Sequence, residues 1–222
     1  MSEKVSIANK ENWDPKTKIG EMVKSGEITT FEQISDLGKP ILESEIVDIL
    51  LTNLEAETLL IKSTQRVTDS GRKIQFRVVV AVGDRNGHVG IGVGKSEEIK
   101  YSIDYAIKEA KKKMISVKMG CGSWECKCCV QHSIPEATQG KEGSTIVVLK
   151  PAPKGLGLVS NTTVKKVLSI AGIKDVWSTT SGNTNNVYNT VMATINALEN
   201  ISIAKPHPIR AANVQTELSR MP

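Results

Sequence analysis

Four cysteines fall within nine residues of this 222-residue chain, at Cys121, Cys126, Cys128 and Cys129, and His132 stands three residues further on. Thiolates and imidazoles are the ligands that tetrahedral zinc takes. The spacing is irregular, with one residue between Cys126 and Cys128 and four between Cys121 and Cys126. Adjacent Cys128 and Cys129 could share one ion only in a strained loop. The simplest ligand set is therefore Cys121, Cys126, Cys128 and His132, with Cys129 free. A structural zinc there would tie down a segment that lacks apolar residues to order it. Disulfides are disfavoured in a reducing cytoplasm, so the other reading is a set of free thiols in an ordinary loop. Sequence alone leaves both open.

Catalytic constellations are scarce. The three histidines, His88, His132 and His207, lie in no His-Glu-x-x-His array, and no Gly-x-Ser-x-Gly elbow occurs. Thiol catalysis would draw on the cysteines with His132 as base, and nothing else supports it. Gly94-Lys95-Ser96 ends like a P-loop, but Val89 stands where the first glycine belongs. A dinucleotide fingerprint starting at Gly90 would need glycine in place of Lys95. The chain reads as a protein that is not an enzyme.

Its basic residues are better organised. Residues 1–57 hold 6 Lys/Arg against 12 Asp/Glu, whereas residues 58–118 hold 13 against 6 and residues 119–222 hold 10 against 6. A basic body with an acidic arm points to polyanion binding by the body. The candidate phosphate contacts are Arg66, Gly71, Arg72, Lys73, Arg77, Arg85, His88 and Lys95, together with Lys150, Lys154, Gly155, Lys165 and Lys166 further on. Gly90 and Gly92 join them because the run Gly87-His88-Val89-Gly90-Ile91-Gly92-Val93-Gly94 leaves one strand face bare, which something bulky could approach. Contacts of this kind read the shape of an RNA rather than its sequence.

The elements that must carry these residues follow from periodicity. Residues 1–53 form an acidic helical extension. Thr30 and Gln33 give a capping-box pattern, and a second helix after Pro40 carries Ile46, Ile49, Leu50 and Leu54. This arm has too little apolar mass to fold alone and should pack on the body or a neighbour. Residues 54–118 read as β-β-β-α: a strand over 58–67, a turn at 68–71, a second strand over 73–82, a turn at 83–86 and the glycine-rich strand. The helix that follows has Ser96 as its candidate N-cap, Glu97 and Glu98 in its first turn, and an apolar stripe of Ile99, Ile103, Ala106, Ile107, Ala110 and Met114. Tyr101, Tyr105, Lys108 and Lys112 make a solvated face on its other side. Residues 119–143 are an irregular Cys-rich insert, and 144–205 a small βαβα domain. An extended tail occupies 206–222. The fold class is α+β. No apolar run approaches the length of a membrane span. The polar start Met1-Ser2-Glu3-Lys4 is unlike a secretory signal, so a cytoplasmic protein is expected.

Several of these residues carry a family resemblance. Ser70-Gly71-Arg72-Lys73, Phe76, Gly83-Asp84, Gly87, Val89 through Lys95 and the Ala110-Lys111-Lys112-Lys113 helix end resemble the N-terminal domain of the universal small-subunit ribosomal protein family S-five. The likeness resumes at Pro151-Ala152-Pro153-Lys154-Gly155-Leu156-Gly157 and at Ala171-Gly172-Ile173, and covers roughly residues 54 to 205. The acidic extension and the Cys-rich insert look like the archaeal branch. The resemblance implies a double-stranded-RNA-binding-like fold, small-subunit rRNA as ligand, and neighbouring ribosomal proteins as partners, notably the S-four family protein. It also implies a place near the path by which mRNA enters, with a role in translational accuracy and no cofactor. In the family a histidine resembling His132 precedes a proline in chains without such cysteines, which weakens its claim as a ligand. Glu97 and Glu98 replace the Lys-rich helix start of duplex binders, so the turns at 68–73 and 84–88 are expected to do the gripping. Two other functions fit the residues less well: an RNA-binding regulator outside the ribosome, and an enzyme resembling small-molecule kinases.

Overall fold

The computed structural model describes residues 13–126, 128 and 130–203. Three short helices come first. α1 (Lys18–Ser25) starts at Thr17, whose hydroxyl accepts the Gly20 N–H, and stops at Gly26, whose φ of 84° suits a residue without Cβ. α2 (Phe31–Asp36) begins as the capping pattern predicts, with Gln33 Oε1 accepting the backbone N–H groups of Thr29 (3.0 Å) and Thr30 (3.4 Å). α3 (Ser44–Leu50) ends before Leu54, which sequence periodicity had included. The arm packs on the body. Phe31, Ile34, Ile41, Ile46 and Val47 share a core with Val78, Val80, Val82, Ala106, Ala110 and Met114. A half-buried ion pair, Lys111 to Asp48 at 2.6 Å, fastens it further.

The first sheet has the order β1-β2-β3-β4, all antiparallel, from β1 (Glu55–Thr68), β2 (Gly71–Gly83), β3 (His88–Ser96) and β4 (Met114–Ser116). α4 (Ile99–Lys112) links β3 to β4. The register sets Val78 opposite Gly94, Val80 opposite Gly92 and Val82 opposite Gly90, so valines and glycines share one face. α4 lies directly on the glycines. A Cβ at Gly90, Gly92 or Gly94 would run into the backbone carbonyls of Ala110, Ala106 and Ser102 in turn. The bare face expected to receive a ligand is thus filled from within. Gly90 and Gly92 are buried packing sites beneath α4, where the sequence reading had placed an open face for rRNA.

The helix start differs from expectation too. Ser96 is the last residue of β3, and Glu98 takes the cap position ahead of Ile99. Ile99 is itself exposed, while Ala106 and Ala110 are fully buried against the sheet.

The opposite sheet face, with Val79, Ala81, Val89 and Ile91, belongs to a second core. That core is shared with β6 (Thr145–Pro151), α5 (Thr162–Ala171), β8 (Val176–Ser181) and α6 (Val187–Ile203), through Val147, Leu149, Val167, Leu168, Val176, Val191 and Leu198. Burial on both faces explains the unbroken apolar run from Val78 to Val82. The second sheet has the order β5-β6-β8-β7, in which β7 (Leu158–Val159) alone is parallel to its neighbour. β5 (Thr138–Glu142) lies in the segment read as irregular. Its residues are polar, and it forms because an edge strand can be held by backbone bonds and by Gly140, which admits the α6 backbone. Among the described residues no helix is long and apolar enough to cross a membrane. The tail over 206–222 and His207 lie outside the described residues.

Candidate nucleic-acid interface and metal centre

β1 and β2 run past the body as an exposed hairpin closed by Gly71 (φ 134°) and by the Thr68 hydroxyl, which donates to the Gly71 carbonyl at 2.9 Å. Partners across an antiparallel ladder share a face. After a bulge between Thr58 and Leu60, the register sets Lys62 opposite Arg77 and Arg66 opposite Lys73. Arg77 in turn lies opposite Lys95 on β3. Lys62, Arg77 and Lys95 therefore form a row across three strands, with Arg66 and Lys73 further out on the same face. Like charges directly opposite one another destabilise a sheet. Arg66, Arg72, Lys73 and Lys95 are exposed and make no ion pair with any described residue. An anion would relieve this repulsion. Arg77 is oriented by Tyr188 of α6, whose ring centroid lies 4.7 Å from the guanidinium carbon. Lys62 was absent from the sequence-derived set, though its place two and four residues from Thr64 and Arg66 follows from strand alternation.

The second expected grip, the turn at 84–88, is engaged inside the molecule. The Arg85 and Gly87 N–H groups donate to the carbonyls of Ile170 and Ala171, both at 3.0 Å, seating the turn on the end of α5. The Arg85 side chain pairs with Glu55 at 2.6 Å. His88 turns inward, with Nδ1 2.7 Å from Asp84 Oδ2 and its ring edge-on to Phe31 at 5.1 Å. Burial pushes the Asp84 carboxyl up, but the bonds from His88 and from the Asn86 N–H outweigh it and hold the group below its ordinary value. His88 is thus a structural residue that joins the turn to the arm. Lys166 pairs with Glu57 at 2.8 Å and fastens α5 to β1. Lys150, Lys154 and Lys165 remain exposed.

The insert is pinched at its base by a bridge between Gly120 and Ser133, with N–H···O bonds of 2.8 and 2.9 Å. Within it, Cys121, Cys126, Cys128 and His132 bring their ligand atoms within 4.8 Å of one another. His132 Nε2 lies 3.1 Å from the Cys128 sulfur and 3.6 Å from that of Cys126, and the Cys128 and Cys121 sulfurs are 3.6 Å apart. Zinc bonds of about 2.3 Å to sulfur and 2.0 Å to nitrogen give tetrahedron edges of about 3.5–3.8 Å. The Cys126 and Cys128 sulfurs are closer, at 2.8 Å. Burial, then the bonds with Cys128 and Cys126, push the Cys121 thiol up to about 12. The bonds with Cys128 and then with the Lys154 backbone bring Cys126 down to about 6. Cys129 lies outside the described residues.

A residue missed by sequence reasoning completes this centre. Asp175 at the threshold of β8 is buried, and its Oδ2 lies 2.8 Å from His132 Nδ1. Its backbone N–H and that of Lys174 also hold the His132 carbonyl, at 3.1 and 3.0 Å. Oδ2 and Nδ1 are close without being aligned as a hydrogen bond, and a carboxylate beside the far nitrogen favours the tautomer that leaves Nε2 free to bind a metal. No local spacing announces it, because Asp175 lies 43 positions beyond His132.

Comparison with known proteins agrees with the geometry. Residues 54–118 match the family described as Ribosomal protein S5, N-terminal domain, and residues 140–211 match Ribosomal protein S5, C-terminal domain. The chain is 52% identical over 197 residues to the small ribosomal subunit protein uS5 of Methanocaldococcus jannaschii, covering 89% of this chain and 91% of the relative. It is 50% identical over 190 residues to uS5 of Staphylothermus marinus, covering 86% and 89%. It is also 49% identical over 196 residues to uS5 of Methanoregula boonei, covering 88% and 96%.

Proposed function

The chain belongs to the ribosomal protein S5 family, and we propose on that premise that it is a non-enzymatic, structural constituent of the small ribosomal subunit that binds rRNA. The observation that carries the binding mode is the cationic row Lys62–Arg77–Lys95 across β1, β2 and β3, with Arg66 and Lys73 beyond it on the same face of the projecting hairpin. Such a face neutralises phosphates along an RNA backbone. Lys150, Lys154 and Lys165 supply a second set of exposed cations, with Gly155 offering backbone beside Lys154. The partners extend to neighbouring small-subunit proteins, with the S-four family protein against the C-terminal domain and mRNA close by. The site of action is the cytoplasmic ribosome.

Reversing Arg66 and Lys73 to glutamate tests the interface. Each lost phosphate contact should lower the slope of log affinity against log salt by about 0.9 on duplex or 0.7 on single strand. A folded double variant with the wild-type slope would take the hairpin off the RNA. Sedimentation separates the ribosomal role from that of a free regulator. Co-migration with the small subunit in high salt supports the former, and its absence the latter.

A second reading rests on the converged thiols. Cys121, Cys126, Cys128 and His132 hold a structural zinc that orders the insert. Protein purified without added zinc or chelator should carry about one equivalent of the metal. Less than about a tenth of an equivalent, with the thiols freely titratable in the native state, would leave an ordinary reduced loop.

A further inference from the structure

One carboxylate serves two sites. While Asp175 Oδ2 faces His132 Nδ1, its Oδ1 accepts the backbone N–H groups of Gly155 at 3.1 Å and Gly157 at 2.7 Å. Those glycines have φ of 91° and 79°, and a Cβ on either would meet nothing within 4 Å, so no neighbouring wall presses on the loop at these two positions. The loop is also held by the Ala152 N–H on the Ser133 hydroxyl and the Val176 N–H on the Gly157 carbonyl, both at 3.3 Å. The Asp175 bonds, and the Lys154 backbone beside the Cys126 sulfur, link it to the thiol–histidine cluster. Lys154 itself, exposed at the loop's tip, is one of the cations offered to RNA.

We propose that Asp175 is a positioning residue that couples metal occupancy of the thiol–histidine centre to the shape of the 151–157 loop, so that a bound zinc ion presents Lys154 to phosphate. The inference rests on the zinc reading above. A cation on Nε2 requires the imidazole proton to sit on Nδ1, 2.8 Å from Asp175 Oδ2, where its attraction for the carboxylate favours one orientation of that group. The carboxylate so oriented then offers its second oxygen to the two glycine N–H groups. Without the ion the other tautomer becomes available, its Nδ1 lone pair opposes Oδ2, and the carboxylate can turn away. The Cys126 sulfur, no longer held by metal, can release the Lys154 N–H as well.

The test uses the full chain, first zinc-loaded and then stripped by chelator and dialysed, with amide hydrogen exchange followed by nuclear magnetic resonance. Exchange at Gly155 and Gly157 should quicken at least about tenfold on zinc removal, while amides in the middle of β2 keep their protection. Asp175→Asn should weaken zinc binding by about 10–100-fold, read by competition with a chromophoric chelator. Its Gly155 and Gly157 amides should exchange rapidly even when zinc is bound. Stoichiometric zinc with unchanged exchange at the two glycines overturns the coupling and leaves the metal site standing. Failure to bind zinc at all overturns both. The wild-type comparison decides the matter if the Asp175 variant does not fold.

Discussion

Gly92 faces Val80 across the ladder and sits beneath α4, where an added Cβ would collide with the Ala106 carbonyl. Valine has the better strand propensity, and on an open strand Gly92→Val would stabilise the fold. Here the obstacle is backbone, which no rotamer change can move. Overpacking typically costs about 1–3 kcal/mol, and displacement of a whole helix puts Gly92→Val at or above that upper end. Urea unfolding should show the loss. A variant within about 0.5 kcal/mol of wild type would mean that α4 does not depend on the glycine ladder. Asp175 illustrates a different kind of residue. Its importance lies in two hydrogen bonds and one close ion-pair contact to groups 18 to 43 positions away in sequence, and nothing about its neighbours announces them.

At the scale of elements, the acidic arm shows how a segment can have too few apolar residues to fold alone and still be ordered. α1 to α3 contribute one apolar face each to a core whose other half comes from β2, α4 and β4. Ile46 is fully buried there. Ile46→Ala should cost about 2–5 kcal/mol, the usual range for a large-to-small change in a packed core. Hydrogen exchange should locate the effect in the arm first. Unaltered protection in α3, with stability unchanged, would mean that the arm's attachment does not depend on this contact. The β1–β2 hairpin follows the opposite logic. Its outer half is exposed on both faces, so its strands cannot be maintained there by a core, and hairpin pairing with turn chemistry at Thr68–Gly71 holds the register that lines up the cations.

Across the whole molecule, charge is divided between two tasks. Arg85 with Glu55 ties the β2–β3 turn to β1, Lys166 with Glu57 joins α5 to β1, and Lys111 with Asp48 joins the arm to α4. Of the other candidate cations, Arg66, Arg72 and Lys73 lie on the hairpin, Lys95 at the end of β3, Lys150 and Lys154 along the 150–157 loop and Lys165 on α5. This partition is why a list of basic residues overstates the binding surface. Opposite charges drawn from the acidic arm and β1 consume part of it, and only the packing of the elements decides which part.

The sequence by itself determined the periodic elements of the central sheet, α4, α5 and α6, the position of the hairpin turn, the four residues Cys121, Cys126, Cys128 and His132 whose ligand atoms converge, and the family. Each of these depends on local spacing or on motifs read in order. The tertiary structure decided what the glycine face is for, because a strand with no side chains suits a packed helix and an incoming ligand equally well until the helix is in place. It also decided that His88 turns inward, that Arg85 and Lys166 pair with acidic side chains of β1, that β5 exists, and that Asp175 joins the thiol–histidine cluster to the 151–157 loop. Those outcomes depend on contacts between residues distant in the chain, and the physical reason they were illegible is that a side chain's partner is chosen by packing, not by spacing.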